Sequence, residues 1–223
     1  LLLALEQIQS AQQIEDVYFP RTTAAHMLES RTRLQLIQLV INTVQNKPVS
    51  SLVADIEENL LLIEDESVVA GIINALGINA YNNRKTEQAL HYFKKSQALY
   101  EKLGDEVGLS STLNGLANIF SQRAEYDIAR KYLEEVRQIS IKSNDKYSES
   151  VTLFNLAGNY IAKNDYAKAQ ETLTQTLALN REIDDLAGVA WTNQAFGELF
   201  EKQKNFEWLS ENTLIMVQCQ LYG

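Results

Sequence analysis

Apolar side chains follow one another at helical spacing, three or four residues apart, along most of this chain of 223 residues. One block contains Leu153, Leu156, Ala157 and Tyr160, and the next contains Tyr166, Ala169, Leu173 and Leu177. An apolar stripe with this period predicts amphipathic helices that each bury one face. Nine glycines and two prolines are too few for the frequent turns of a sandwich or a barrel. The pattern therefore predicts an all-α protein.

The helical pattern repeats with a period of 40 residues. A shift of 40 places aligns Asp65, Asp105, Asp145 and Asp185, and also Leu76, Leu116, Leu156 and Phe196. Small residues keep the same register at Gly77, Ala117, Ala157 and Gly197, and at Ala89, Ala129 and Ala169. Each period has room for two helices, and small residues let antiparallel helices approach closely where they cross. The repeat therefore predicts stacked helix hairpins.

Each period also carries signals that end one helix and start another. The repeated aspartates stand one residue before the first helix of a pair, where a carboxylate accepts hydrogen bonds from free backbone N–H groups. Gly104, Asn144 and Asp184 precede three of them, and these residue types tolerate the left-handed conformation that closes a helix. Turns within the hairpins are expected near 45–48, 84–85, 124–125, 164–165 and 204–205.

The stretch from Leu153 to Tyr160, followed by Asn164, Asp165, Tyr166 and Ala169, resembles the tetratricopeptide repeat family. The family pattern has a large residue, Leu followed by Gly or Ala, an aromatic residue, Gly-Asp-Tyr in the turn and a small Ala. The usual repeat has about 34 residues, and the longer period here is similar to that in bacterial regulators, peptide-pheromone receptors and kinesin light chains. The resemblance covers residues 66–213. It implies a right-handed α-solenoid of stacked antiparallel helix hairpins.

About eleven helices are expected, in four regions. Residues 1–20 should form an N-terminal helix, 21–65 a divergent first pair, 66–205 the regular array, and 206–223 a capping or interface helix. A relaxed pattern at the ends is typical of the caps of a repeat array. The apolar residues of the last region predict self-association as a homodimer through the chain ends, or cover by a further domain. These residues are Leu214, Ile215, Val217, Leu221 and Tyr222.

The charge balance argues against nucleic acid as a partner. Twenty Lys+Arg against 29 Asp+Glu give a net charge of −9 and a pI near 4.8, which opposes binding to phosphate groups. No apolar run approaches the roughly 18 to 20 residues of a membrane span, so we expect no membrane insertion. We expect a cytoplasmic location, with a periplasmic or extracytoplasmic sensor domain as the alternative.

Candidate catalytic and metal-binding residues are few. Glu87 and His91 lie four residues apart on one helix, but no third ligand has suitable spacing for a metal. Cys219 falls in an apolar run, without the positioned base that a nucleophilic cysteine needs. No glycine-rich phosphate loop follows a strand. An enzyme is therefore the weakest class, and no metal or cofactor is expected.

A binding face is better supported, because stacked hairpins expose the first helix of each pair along a concave surface. A rotation of about 100° per residue selects the positions opposite the buried Leu-Gly/Ala pair. The predicted groove residues are Asn74, Ile78, Tyr81, Asn82, Asn114, Asn118, Ser121, Gln122, Phe154, Ile161, Trp191 and Gln194. Gly158, Ala162, Glu198, Glu201 and Lys202 fall in the same sector. Amides and hydroxyls pair with a peptide backbone and the Phe154 row is apolar, which suits a peptide with a hydrophobic anchor.

Three classes of function follow from these features. The leading one is a protein- or peptide-binding module, as the sensory or scaffold part of a larger bacterial regulatory protein. The second is a structural solenoid that self-associates and has no groove ligand, in which case the amides only form a solvated face. An enzyme is the third. Family members that grip a C-terminal carboxylate use Lys and Arg on this face, where the present chain has only Lys202, which argues against a carboxylate clamp.

Overall fold

The computed structural model describes residues 24–45 and 49–203. Within these ranges the chain forms nine helices and no strand, which confirms the all-α prediction. The helices are α1 (Ala24–Val44), α2 (Ser50–Leu60), α3 (Glu66–Asn82), α4 (Thr86–Leu103), α5 (Glu106–Gln122), α6 (Tyr126–Lys142), α7 (Lys146–Ala162), α8 (Tyr166–Glu182) and α9 (Leu186–Lys202). The expected total of about eleven includes helices in residues 1–20 and 206–223, which lie outside the described part. The division into four regions stays a prediction.

A left-handed residue separates the helices every 20 positions from α3 onward. These residues are Arg84, Gly104, Ala124, Asn144, Asn164 and Asp184, with φ between 53° and 67°. At each turn the next N–H reaches back to a carbonyl of the ending helix, as from Lys85 N to Ala80 O at 2.9 Å, which is a Schellman-type closure. The turns expected near 84–85, 124–125 and 164–165 are confirmed, and that near 204–205 lies outside the described residues.

The repeated aspartates cap the first helices as the sequence predicts. The Oδ1 atom of Asp65 accepts from Ser67 N at 2.9 Å, and that of Asp105 accepts from Gly108 N at 3.0 Å. Asp145 and Asp185 make the same contact three residues ahead, each at 3.0 Å. Each carboxylate satisfies an N–H group that the helix leaves without a partner. The starts of α3, α5, α7 and α9 are therefore fixed by local sequence.

The chain divides inside α5 into two compact units, one ending at Gly115 and the other beginning at Leu116. In the first unit α3 and α4 form an antiparallel hairpin beside α1 and α2. Its core is built from large side chains at most 1% exposed, namely Leu39, Ile56, Leu76, Phe93 and Leu113. Ala89, at a small position of the repeat, is fully buried among them.

In the second unit α7 and α8 form a hairpin, with α6 and α9 packed against it. One cluster joins α7, α8 and α9 through Ala157, Ala169, Leu173, Phe196 and Leu199. A second cluster contains Ala117, Leu133, Leu153 and Leu156. The alanines at the small positions are 0–1% exposed, so the helices approach as closely as the repeat predicts.

Candidate functional site

From α3 onward, charged residues are distributed unequally between the two helices of a hairpin. The first helices carry few of them: one each in α3 and α5, two in α7 and three in α9. The second helices carry five in α4, seven in α6 and four in α8. Charged side chains normally cover exposed helix faces. The exposed faces of these first helices therefore carry unusually few charges.

In the first unit the neutral face combines aliphatic and amide side chains. Ile78 is 43% exposed and Val107 is 81% exposed, and Asn82 is exposed at the end of α3. Tyr81 and Asn114 are half-buried. The Oδ1 atom of Asn114 is enclosed and has no hydrogen-bond partner in the described part of the chain. An enclosed amide oxygen without a donor lowers the stability of the fold, because it has lost its hydrogen bonds to water.

Asn74 is the first correction to the predicted groove. The structure places it 8% exposed, with its Nδ2 donating to Ser111 Oγ at 3.1 Å. Its Oδ1 accepts from the hydroxyl of Thr112 at 3.1 Å, and Thr112 shares a 2.7 Å hydrogen bond with Ser96. The amide of Asn74 is therefore used to join α3 to α5 inside the unit, since a buried amide needs such partners.

In the second unit the face has a polar part on α5 and an apolar part on α7 and α9. Asn118 and Gln122 are exposed at the end of α5, and Gln194 is exposed on α9. Trp191 is 59% exposed, whereas Phe154 is half-buried and packs against the core cluster of α7, α8 and α9. The apolar part thus extends from α7 to Trp191, and Gln194 borders it one turn further along α9.

Ile161 and Ser121 are the second correction. Ile161 is 7% exposed and belongs to the core cluster with Leu199 and Phe200, and Ser121 donates to Asn159 Oδ1 at 2.9 Å. Both residues stand five positions after the Leu of the repeat, which turns them toward the neighbouring helix rather than to solvent. Ile161 therefore stabilises the fold and is not available on the exposed face.

Tyr147 and Val151 lie on the apolar part of the face and are missing from the predicted set. Tyr147 is 58% exposed and Val151 is 39% exposed. They precede Phe154 by seven and three residues, a spacing that places all three side chains on one side of α7. The sequence prediction begins two residues before the Leu-Ala pair, at Phe154, and so leaves out the two preceding turns of the same stripe.

Ion pairs account for the charges at the starts of the first helices. Lys146 Nζ lies 2.5 Å from Glu182 Oε1, and Lys102 Nζ lies 2.5 Å from Glu66 Oε1. The two pairs occupy equivalent places of the repeat with the signs reversed. These charges are therefore engaged with a second helix and leave the neutral faces unchanged.

Groups that could do chemistry are not assembled within the described residues. No three His, Cys, Asp or Glu side chains come together there as a metal site would need, and Glu87 and His91 are both exposed. A cavity of about 170 Å³ lies between α2, α3 and α4, beside Glu57, Lys85 and Tyr92. Burial, together with the 2.8 Å hydrogen bond from the Tyr92 hydroxyl to Glu57, raises the pKa of Tyr92, which is opposite to the activation of a nucleophile.

The ends of the chain bear on two further expectations. Leu214, Ile215, Val217, Leu221 and Tyr222, expected to mediate self-association, lie outside the described residues, as does Cys219. Among the described helices none is both long and apolar enough to cross a membrane.

The repeated hairpins define a class of protein, the helical-repeat proteins. Residues 68–142 match the tetratricopeptide repeat family, and helix hairpins of similar length continue through α8. No match was found among curated proteins.

Solved structures with the same fold come from proteins of different kinds. BtubC from P. vanneervenii has a TM-score of 0.76 at 16% identity, covering 99% of this chain and 89% of that one. A Rap protein complexed with competence and sporulation factor has a TM-score of 0.68 at 13% identity, covering 94% and 58%. A signal transduction ATPase with a tetratricopeptide repeat sensor from Pyrococcus horikoshii has a TM-score of 0.71 at 19% identity, covering 98% and 34%. At such identities the likeness establishes the fold alone.

Proposed function

We propose that this protein is a non-catalytic module that binds a protein or peptide partner on the exposed faces of its first helices. The carrying observation is that these faces are exposed and nearly free of charge, while the second helices are richly charged. Charged residues are depleted from the cores of protein interfaces, because removing a charge from water is costly. A neutral face is therefore suited to being covered by a partner.

The side chains on these faces support a peptide as the partner. Asn118 and Gln194 are exposed amides, and an amide both donates and accepts hydrogen bonds, as a peptide backbone does. Tyr147 and Trp191 add exposed aromatic area, which contributes strongly to binding when a partner buries it.

We further propose that the chain is the sensory or scaffold part of a larger bacterial regulatory protein. Two proteins of the same fold are described respectively as complexed with competence and sporulation factor and as having a tetratricopeptide repeat sensor. The chain spans about a third of the length of the second protein. A helical-repeat module in this role supplies the recognition surface, while another domain supplies the output.

Gly158 provides a test of the proposed face. It is exposed on α7, and no atom lies within 4 Å of the place of a Cβ atom on it. Gly158→Arg therefore adds a bulky charge to the face without a clash, and replaces a poor helix former. Lys131→Glu on α6, also at an exposed position, is the matched control.

The measurement is capture of partners from cells of the source organism, followed by titration calorimetry with the purified partner. We expect Gly158→Arg to weaken binding by at least about tenfold while Lys131→Glu binds as the parent does. Equal binding by both variants would contradict the proposed face. Recovery of nothing but further copies of this chain would favour the self-associating solenoid instead.

A further inference from the structure

An apolar patch stands out on the second unit. It consists of Tyr147, Val151, Phe154 and Gly158 on α7 and Trp191 on α9, and is called the aromatic patch below. Tyr147 and Trp191 are each more than half exposed, and Val151 is 39% exposed. The four residues of α7 span about three turns and form a stripe on one side of the helix that has no charge and no amide. Contiguous apolar surface of this kind marks an interaction site more often than an isolated exposed side chain does.

The packing of the fold gives no reason for a glycine at position 158. Glycine inside a helix lowers stability relative to alanine, because it loses more backbone freedom on folding. Gly77, Gly108 and Gly115 have a reason to lack a Cβ atom, because each faces a side chain less than 3 Å from the place of that atom. Gly158 has no atom within 4 Å of that place and lies at the surface. Its absent side chain leaves room beside Phe154 for a side chain of a partner.

Comparison with the first unit shows that the aromatic patch is particular to α7 and α9. Residues 40 positions apart are equivalent, so Phe154 and Trp191 correspond to Asn74 and Ser111 shifted by two periods. In the first unit the amide of Asn74 donates to the hydroxyl of Ser111 at 3.1 Å, and this hydrogen bond joins α3 to α5. Aromatic residues stand at the two equivalent places in α7 and α9, and Trp191 is 59% exposed.

The charges around the aromatic patch favour a cationic partner. Glu198 is exposed on α9, two turns beyond Trp191 and on the same side of the helix. Its described contact is a 3.4 Å hydrogen bond from Gln194 Nε2, which leaves the carboxylate able to accept more donors. Lys146, at the other end of the stripe, is engaged with Glu182. The chain as a whole carries a net charge of −9, which attracts a basic segment over longer range.

We propose that the aromatic patch binds a basic peptide segment, with an aliphatic or aromatic side chain seated on Phe154, Gly158 and Trp191 and a Lys or Arg paired with Glu198. This inference rests on the proposed function, since it assigns the chemistry of the partner that the neutral faces bind. Burial of the apolar side chain supplies affinity, and the charge pair fixes the orientation of the segment.

The test is a phage-display selection of random peptides against the full chain. Peptides of about 12 residues are long enough to bind either as an extended strand or along one face of a helix. We expect the selected peptides to combine at least one large apolar residue with a net positive charge. Synthetic versions are then measured by fluorescence anisotropy. Phe154→Ala with Trp191→Ala should weaken binding by at least about tenfold. Glu198→Lys should weaken it several-fold, and more at low than at high salt.

Two matched controls separate the aromatic patch from general surface effects. Ile141→Ala removes a side chain that is 47% exposed on α6, and Glu171→Lys reverses an exposed charge on α8. Both variants should bind the selected peptides as the parent does. Thermal melting of every variant checks that losses of binding are not losses of folding.

The outcomes distinguish this inference from the proposed function. Selected peptides that are acidic, or that bind the Phe154 and Trp191 variant unchanged, would overturn the basic-peptide inference. If Gly158→Arg still abolished their binding, the proposed face would stand. A selection that enriches no peptide above background would count against both.

Discussion

The ring of Phe93 occupies the space that a Cβ atom at position 115 would need. Built on Gly115, that atom would lie 2.4 Å from Phe93 Cζ, and built on Gly77 it would lie 2.8 Å from Phe93 Cδ1. The residues 40 positions later are Leu133, Asn155 and Ala117. A large ring on α4 between glycines of α3 and α5 thus corresponds to a smaller side chain between larger neighbours one period later. Close packing requires such compensation.

Gly115→Ala is expected to lower the free energy of unfolding by about 1–3 kcal/mol, as overpacking of a filled core does. Phe93 is 1% exposed, so its ring cannot move aside without displacing other buried side chains. Adding Phe93→Leu should recover part of the loss, because a leucine leaves room for the new methyl group. Urea unfolding followed by circular dichroism measures both effects.

Gly158→Ala is the matched control for Gly115→Ala, since both glycines lie within first helices. No atom lies within 4 Å of the Cβ position at Gly158. We therefore expect this substitution to raise the free energy of unfolding by about 0.5–1 kcal/mol. Equal effects of the two substitutions would contradict the packing described for Phe93.

Ala124 is expected to limit stability at the turn between α5 and α6. Its φ is 59°, in the left-handed region, where the Cβ atom of a non-glycine residue is strained. Ala124→Gly should raise the free energy of unfolding by about 0.5–1 kcal/mol, the relief of strain exceeding the added freedom of the unfolded chain. Gly104→Ala, at φ 67°, should lower it.

Ala98→Gly, at an exposed position inside α4, is the control for Ala124→Gly. In regular helix the same substitution should lower the free energy of unfolding by about 1 kcal/mol. Melting temperatures that fall for both variants would show that the left-handed turn at Ala124 carries no strain.

Most of the fold could be predicted because its signals are local. Asp65 and Asp145 cap their helices through N–H groups two or three residues away, and Gly104 and Asn144 adopt the left-handed conformation their side chains tolerate. Such features depend on neighbours in sequence, so a single chain reveals them. The 40-residue period then places each hairpin.

The exposed face could be predicted only in part, because exposure depends on the helix packed alongside. Asn74 has the residue type of a solvated position, but Ser111 and Thr112 on α5 provide its partners. Ile161 lies near the exposed side of α7, but α9 covers it. Neither neighbour is visible in the period of a single helix.

Acid should destabilise the start of α7 through Asp145. The hydroxyl of Ser148, with its backbone N–H, holds the pKa of Asp145 below its ordinary value. A lowered pKa in the folded state adds stability above the unfolded pKa of about 3.9, and that stability is lost as the pH falls through the folded pKa. We expect the melting temperature to drop below about pH 4.

Ser148→Ala should make this drop smaller, because the pKa of Asp145 then moves toward its unfolded value. The measurement is the difference in melting temperature between the parent and the variant, followed from neutral pH to acid. The control is Thr174→Ala, which removes an exposed hydroxyl that donates a hydrogen bond to the Gln170 carbonyl within α8. If the difference in melting temperature between the parent and Ser148→Ala does not become smaller in acid, the role assigned to the Asp145 cap is wrong.

Arg137 and Glu149 form a partly buried ion pair where the next period has apolar residues. Arg137 Nε lies 3.6 Å from Glu149 Oε1, and the two side chains are 29% and 18% exposed. Their equivalents 40 positions later are Leu177 and Val189. Since desolvation of such a pair cancels much of its attraction, Arg137→Leu with Glu149→Val should leave the free energy of unfolding unchanged or raise it. Glu149→Val alone should lower it by about 1–2 kcal/mol, because an arginine is left without its partner. Urea unfolding of Arg137→Leu, Glu149→Val and the double variant gives the coupling between the two sites, and a double variant less stable than the parent would show that the ion pair itself stabilises this contact.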